Sequence, residues 1–168
     1  MDVIFTRRSV RRYKKQVVEQ EKIEKLLKAG MQAPSAANQQ PWEFIVVQKQ
    51  ENLDKLAGIS AYSKMVADAP LAIVLVGNED RMRLQLHWEQ DMAAATQNIL
   101  LEAAHLGLGA VWLGVAPIKE RMDYISELYG LKKRLKPFCV ISIGYPEEGQ
   151  ENKFVDRYDP NRVHYETY

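Results

Sequence analysis

The chain has 168 residues, with 23 lysines and arginines against 22 acidic residues, so no global field draws it to nucleic acid or to an anionic membrane. Its 46% hydrophobic and 27% charged content is that of a soluble globular protein, and its length suits a single domain, 1–168, with a sizeable core. One cysteine, Cys139, leaves no internal disulfide to form, and no apolar run approaches the ~20 residues a membrane span needs. With no secretory leader in view, the expectation is a cytoplasmic protein.

In chain order, Asp2 to Thr6 predicts a short helix with Val3, Ile4 and Phe5 as its apolar content. Arg7-Arg8-Ser9-Val10-Arg11-Arg12-Tyr13 follows, with four guanidinium groups in seven residues. Extended backbone puts Arg7, Ser9 and Arg11 on one face and Arg8, Val10 and Arg12 on the other. The first face offers two planar forks about a hydroxyl, which suits a phosphate. A solvated basic arm is the alternative.

Glu19 to Met31 has the apolar stripe of an amphipathic helix, through Ile23, Leu26, Leu27 and Gly30. Between Pro34 and Trp42 runs a polar loop in which Asn38, Gln39 and Gln40 supply neutral donors and acceptors, either to read the edge of a heterocycle or simply to join helix to strand. Trp42 to Val47 predicts a strand, Glu51 to Gly58 a helix and Leu71 to Val76 a buried strand, while Ser60 to Ala69 has no assignable pattern. The longest helix is expected from about Leu84 to Leu106. Its middle, from Met92 to Ala104, is small or apolar on nearly every face, so it asks to be enclosed, with a second subunit as a source of cover. Strands at Ala110 to Val115 and Phe138 to Ile143 flank a helix from Ile118 to Tyr129. Cys139 lies in an apolar run and reads as an inert core residue. The polar tail from Glu147 to Tyr168 has no core periodicity, yet its aromatic residues predict that it lies on a surface.

Familiar catalytic patterns are missing. Gly107-Leu108-Gly109-Ala110-Val111-Trp112 lacks the third glycine of a dinucleotide fingerprint and follows a helix. His87, His105 and His164 are scattered without ligand-spaced partners, so no metal site is expected. Glu89 and Asp91 face apart on a helix and make a poor acid–base pair. Anion-binding and heterocycle-reading segments without a proton-transfer set point to a cofactor that supplies the reactivity. A flavin fits: its phosphate wants arginines, and a cation beside its pyrimidine end stabilises the reduced anion, with Arg11 the natural candidate.

Four segments together resemble the FMN-dependent nitroreductase family. Arg7-Arg8-Ser9-Val10-Arg11 is similar to its Arg-x-Ser-x-Arg/Lys signature, and Pro34-Ser35-Ala36-Ala37-Asn38-Gln39-Gln40-Pro41-Trp42 to its Pro-Ser-x-x-Asn-x-Gln-Pro-Trp loop. Ala94 to Leu101, continuing through Gly107-Leu108-Gly109 to Trp112-Leu113-Gly114, resembles its central helix and following strand. Gly144-Tyr145-Pro146 with Arg157-Tyr158-Asp159 resembles the tail of its shorter members. The resemblance implies an α+β fold, a three-layer α/β/α sandwich with a mostly antiparallel sheet, in an intertwined homodimer holding FMN at the interface. It implies that Arg7, Arg8 and Ser9 bind the phosphate and ribityl chain and that Arg11 binds the pyrimidine end. Ser35, Ala36, Asn38 and Gln40 would come from the partner subunit, Trp112, Leu113 and Gly114 would lie against the ring, and Lys153 and Arg157 would return to the phosphate. The tail, residues 147–168, would extend onto the partner.

The implied activity is ping-pong: NAD(P)H reduces the flavin, and a nitroaromatic, quinone or similar small-molecule acceptor reoxidises it. Relatives on this scaffold also dehalogenate or fragment flavins, and no residue pattern here selects those reactions. A non-catalytic flavin carrier or sensor is the alternative from another class.

Overall fold

Alternation along one central strand sets the layering of this computed structural model, which describes residues 3–168. In β2 (Leu71–Asn78), Leu71, Ile73 and Leu75 face one apolar cluster while Ala72, Val74 and Val76 face another. A strand covered on both faces reads as a continuous apolar run, and this one does. The sheet is four-stranded and antiparallel throughout, in the order β1 (Trp42–Val47), β2, β4 (Leu135–Gly144), β3 (Gly109–Gly114). Helices α2 (Gln20–Met31) and α4 (Trp88–His105) pack on the Ile73 face. Helices α3 (Gln50–Leu56) and α5 (Lys119–Leu128) cover the Val74 face. The expected three-layer α/β/α sandwich is therefore the observed fold. The short α1 (Val3–Thr6) precedes it; Asp2, expected to begin that helix, lies outside the described residues.

Periodicity placed β1, α2 and α5 to within a residue of their observed limits. Two elements begin well away from their expected starts, for local reasons. β4 begins at Leu135 rather than Phe138, because Phe138 is the extra residue of a register shift between Leu75 and Val76, and pairing continues with Pro137 opposite Val76. α4 begins at Trp88 rather than Leu84, because residues 85–87 form a 3₁₀ turn and the Leu84 backbone is pulled aside to bind the Gln39 side chain. At its other end α4 stops in a Schellman arrangement. Gly107 adopts φ 74°, its N–H donates to Ala104 O at 3.2 Å, and that of Leu108 donates to Ala103 O at 2.8 Å. Leu108 is then fully buried.

The segment Ser60 to Ala69, which had no assignable pattern, is organised by a buried hydroxyl. Ser63 Oγ accepts from Ser60 N at 2.9 Å and donates toward Ala57 O and Ser60 O, shaping the turn into the 3₁₀ helix Lys64–Val66. Within one chain, α4 is not enclosed all round. Met92, Ala95, Thr96, Ile99, Leu100 and Ala103 are buried, whereas Ala93, Ala94, Gln97, Asn98 and Leu101 are only half-buried. Cys139 is buried, with its sulfur 3.4 Å from Thr96 Oγ1, and burial pushes the thiol up to about 12. Among the described residues no helix is long and apolar enough to cross a membrane, and no group of three or more His, Cys, Asp or Glu is placed to hold a metal.

Candidate functional site

The N-terminal arm is held against the sheet by Val10 and Tyr13, which are 1% and 3% exposed. Val10 N donates to Ala110 O at 3.0 Å, and Ser9 pairs with Ala110 in a single parallel bridge. Tyr13 Oη donates toward Val10 O and Ser142 O, 2.7 and 3.1 Å away, while Ser142 Oγ lies 3.0 Å from it. This contact needs Gly109: a Cβ there would lie 2.6 Å from Val10 Cβ and Cγ1. Burying Val10 turns Arg11 outward, as alternation requires.

Alternation fails at the start of the arm. Arg7 N donates to Val3 O at 2.9 Å, so Arg7 still belongs to the last turn of α1, not to an extended strand. The expected single face with Ser9 between the Arg7 and Arg11 forks is therefore not formed. Arg7 and Arg11 open instead into two separate cavities.

The first cavity, of about 360 Å³, is lined by Arg7, Arg8 and Arg157 with Ile4, Phe5, Phe154, Val155, Asp156 and Tyr158. Burial first, then the charges of Arg157 and Arg8, hold the Arg7 guanidinium below its ordinary pKa. Arg8 is partly committed to the protein: its Nη1 donates to Arg7 O at 2.5 Å and its Nη2 to Phe5 O at 3.3 Å. Its Nε is buried with no partner. A buried donor without an acceptor costs about 1–3 kcal/mol, and a cluster of three cations faces only Asp156 here. Both features are relieved by an anion. Asn152, which the sequence did not single out, clamps the tail to this place: its Oδ1 accepts from Arg8 N at 2.9 Å and its Nδ2 donates to Leu108 O at 3.0 Å. Phe154 packs on Phe5 with ring centroids 6.4 Å apart. Lys153 is exposed and does not line the cavity.

The second cavity is a cleft of about 550 Å³ where Arg11 meets Trp112, Leu113 and Gly114, opposite the Ile59–Met65 segment and Arg121. β3 is an edge strand, so beyond the Ser9 bridge its outer backbone groups face away from the sheet, and Gly114 O among them is taken by Arg121. A Cβ built on Gly114 would meet nothing within 4 Å, so this residue presents bare backbone to open space. Arg121 Nη1 donates to Gly114 O at 2.8 Å and fixes the end of the strand.

Ser35, Ala36, Asn38 and Gln40 gather elsewhere. They precede β1, at the opposite edge of the sheet from β3, three strand spacings or about 14 Å away. The loop is unusual: Ala37, Asn38 and Gln40 all adopt positive φ (49°, 52° and 46°). Ser35 Oγ accepts from Gln40 N at 3.0 Å, and Gln40 Nε2 donates to Asn38 Oδ1 at 3.3 Å. Its anchor is Asp91, a carboxylate only 4% exposed, whose Oδ1 accepts from Ala36 N at 2.8 Å and Oδ2 from Gln39 Nε2 at 2.5 Å. Gln39 also accepts from Leu84 N at 2.9 Å. Gln39, for which the sequence left open a ligand-reading role or a place in the connection, is thus turned inward and spent on the fold. Asp91, read from spacing as a poor acid–base partner for Glu89, organises the loop instead; only a buried acid on an otherwise apolar helix face could have signalled it.

Comparison with known proteins adds to this geometry. The family model described as "Nitroreductase family" matches residues 4–63 and 59–145. A protein of Methanothermobacter thermautotrophicus, provisionally named an NADH dehydrogenase/NAD(P)H nitroreductase, is 42% identical over all of this chain and 87% of its own length. A crystal structure of a Clostridium acetobutylicum protein, provisionally named an NADH oxidase, superposes with a TM-score of 0.98 at 60% identity, covering 99% of this chain and 100% of that one. A Desulfovibrio desulfuricans nitroreductase, also provisionally named, was crystallised in complex with FMN. It superposes with a TM-score of 0.83 at 32% identity, covering 99% of this chain and 95% of that one.

Proposed function

The chain belongs to the nitroreductase family, and on that premise we propose that it is an FMN-dependent oxidoreductase that takes hydride from NAD(P)H and passes reducing equivalents to a small conjugated acceptor such as a nitroaromatic or quinone. The observation that carries this reading is the pair of cavities at the two ends of one arm. Arg7 and Arg11 are four residues apart, at most about 14 Å of chain. One end gathers three guanidiniums for an anion, and the other opens onto the bare backbone of Gly114. A relative sharing 32% of its residues holds FMN.

FMN, when bound, supplies the hydride-accepting and hydride-donating centre. Arg7, Arg8 and Arg157 would hold its phosphate, and Arg11 would place a fixed positive charge beside the ring end, where it favours the electron-rich reduced form. Trp112, Leu113 and Gly114 would give the ring a flat seat along the sheet edge. Tyr62 and Lys64 are exposed at the cleft, so a second substrate can reach it from solvent. That accessibility favours turnover over a sealed flavin carrier.

We infer a homodimer as the working form. The loop bearing Ser35, Ala36, Asn38 and Gln40 lies at the sheet edge away from the cleft of its own chain, and a second copy can supply it. The half-covered face of α4 and the exposed tail aromatics Phe154, Tyr158 and Tyr165 offer the apolar surface such an association would bury.

The test is the visible spectrum of the purified protein, identification of the released chromophore, and anaerobic reduction by NADH and by NADPH followed by reoxidation with added acceptors. A protein that takes up no FMN supplied in excess refutes the proposal. Arg11→Ala is expected to weaken flavin retention and slow its reduction; unchanged values for both would remove Arg11 from this role.

A further inference from the structure

Between β2 and α4 the chain is pinned at two points and thrown outward between them. Met82 is buried, and Trp88 packs edge-on against Phe138 with ring centroids 5.8 Å apart. Both side chains lie over Gly77, where a Cβ would come within 2.8 Å of each. The residues between these anchors close a 3₁₀ turn at 85–87, in which His87 N donates to Leu84 O at 3.1 Å. Leu86 stands at its tip, 94% exposed. The turn does not move by itself. Leu84 N donates to Gln39 Oε1 at 2.9 Å, and Leu84 O accepts from Gln39 Nε2 at 3.3 Å. Asp91 then ties Gln39 and Ala36 to α4. Turn and loop also share a cavity of about 360 Å³, lined by Ala37 and Asn38 on one side and by Arg81 and Arg83 on the other. The 35–40 loop and the Leu86 turn are one rigid unit.

On the reading above, that loop is supplied to the flavin of the partner, so the turn arrives with it. We propose that Leu86 is a specificity-determining residue: it is the apolar wall on which a flat, neutral, conjugated acceptor rests in the partner's cleft, on the side away from the flavin. The inference rests on the proposed function for the flavin and the dimer, whereas the coupling of turn to loop belongs to this chain. One exposed leucine is ordinary on any surface, and its exposure alone decides nothing. What decides is that this one is held out by buried anchors on a unit whose other half answers the cofactor. A leucine carries no charge, donor or acceptor, so it selects by apolar contact area. Pressing it against a ring takes apolar surface of both out of water. The substrates favoured are those with a fused two-ring framework over those with a single ring.

Titration of the FMN-loaded protein with two non-reducible neutral amides, followed by the shift of the visible flavin spectrum, reads this contact without turnover. 2-Naphthamide and benzamide differ by one fused ring. Naphthamide is expected to bind about tenfold more tightly, with Leu86→Ser removing most of that preference and Leu86→Met keeping it. FMN content, Tm and dimer dissociation should not change in either variant. Equal binding of the two amides by the native protein, or a preference that survives Leu86→Ser, overturns the proposal. So does a Leu86→Ser protein whose dimer falls apart, since Leu86 then seats on the partner's surface and not on a substrate. A mixed dimer tests the crossing between subunits: one chain carries Leu86→Ser, and the other carries Arg7→Ala with Arg11→Ala and retains little flavin. The spectral signal then comes from the cleft of the first chain, faced by the leucine of the second. Native preference in that dimer supports the proposal, and its loss overturns it. A protein that takes up no FMN refutes the proposed function and this inference with it, and the spectrum shows that before any amide is added.

Discussion

Replacing Asp91 examines the link between a buried carboxylate and a loop that lies at the surface. Asp91→Ala would leave the Ala36 N–H and the Gln39 amide without their acceptor. Each lost partner costs about 1–3 kcal/mol, or about 2–6 kcal/mol together. Against this stands the backbone strain the carboxylate maintains. Three non-glycine residues, Ala37, Asn38 and Gln40, sit at positive φ, at about 1 kcal/mol each. Once the anchor is gone the loop recovers about 3 kcal/mol by relaxing, so the cheaper outcome is a reorganised loop and a global loss of about 1 kcal/mol. For a domain of this length that is roughly 2–4 °C in Tm. Asp91→Asn is expected to behave almost as badly. Its amide nitrogen would meet that of Gln39, and flipping Gln39 would forfeit its bonds to Leu84 N and O. Urea unfolding gives the global term, hydrogen exchange over residues 35–40 gives the local one, and FMN titration reports whether the loop serves the cofactor. Unchanged amide protection and unchanged FMN affinity in Asp91→Asn would refute the reasoning.

Arg7→Ala is expected to weaken FMN binding about 10- to 100-fold, the worth of one charge-assisted contact, while leaving the flavin-free protein as stable or more so, because it removes a guanidinium crowded by Arg8 and Arg157; a destabilised flavin-free variant would contradict the repulsion. Gly109→Ala forces a methyl into Val10 and is expected to cost about 1–3 kcal/mol and loosen the arm, with Val10→Ala restoring part of the loss in the double variant; thermal melts and flavin retention measure both. Stability should fall as pH rises above about 9. The Cys139 thiol keeps its proton to about 12 when folded but only to 9.0 as a free group, and Tyr129 keeps its proton to about 12 against 10.0. The unfolded chain therefore binds fewer protons in that window, and the slope of unfolding free energy with pH is negative. Cys139→Ala should flatten part of this alkaline limb in urea melts, and an unchanged limb in that variant would exclude the thiol.

Local pattern alone determined most of the frame. The apolar run of β2 announced a strand buried on both faces, the stripe through Ile23 and Leu26 announced α2, and the small residues of α4 announced a helix that needs covering. These are properties of nearest neighbours along a strand or a helix turn, so periodicity reveals them. What only the tertiary structure decided is which charges share a space. Arg7 and Arg11 looked like one fork pair in sequence, yet the last turn of α1 sends them into different cavities. Arg157, Arg121 and Lys64 join them from distant segments, and Gln39 faces inward because Asp91, 52 residues further on, accepts its amide. Such groupings arise from the crossing of elements far apart in the chain, where no spacing rule applies and the balance of burial against hydrogen bonding selects each side chain's direction.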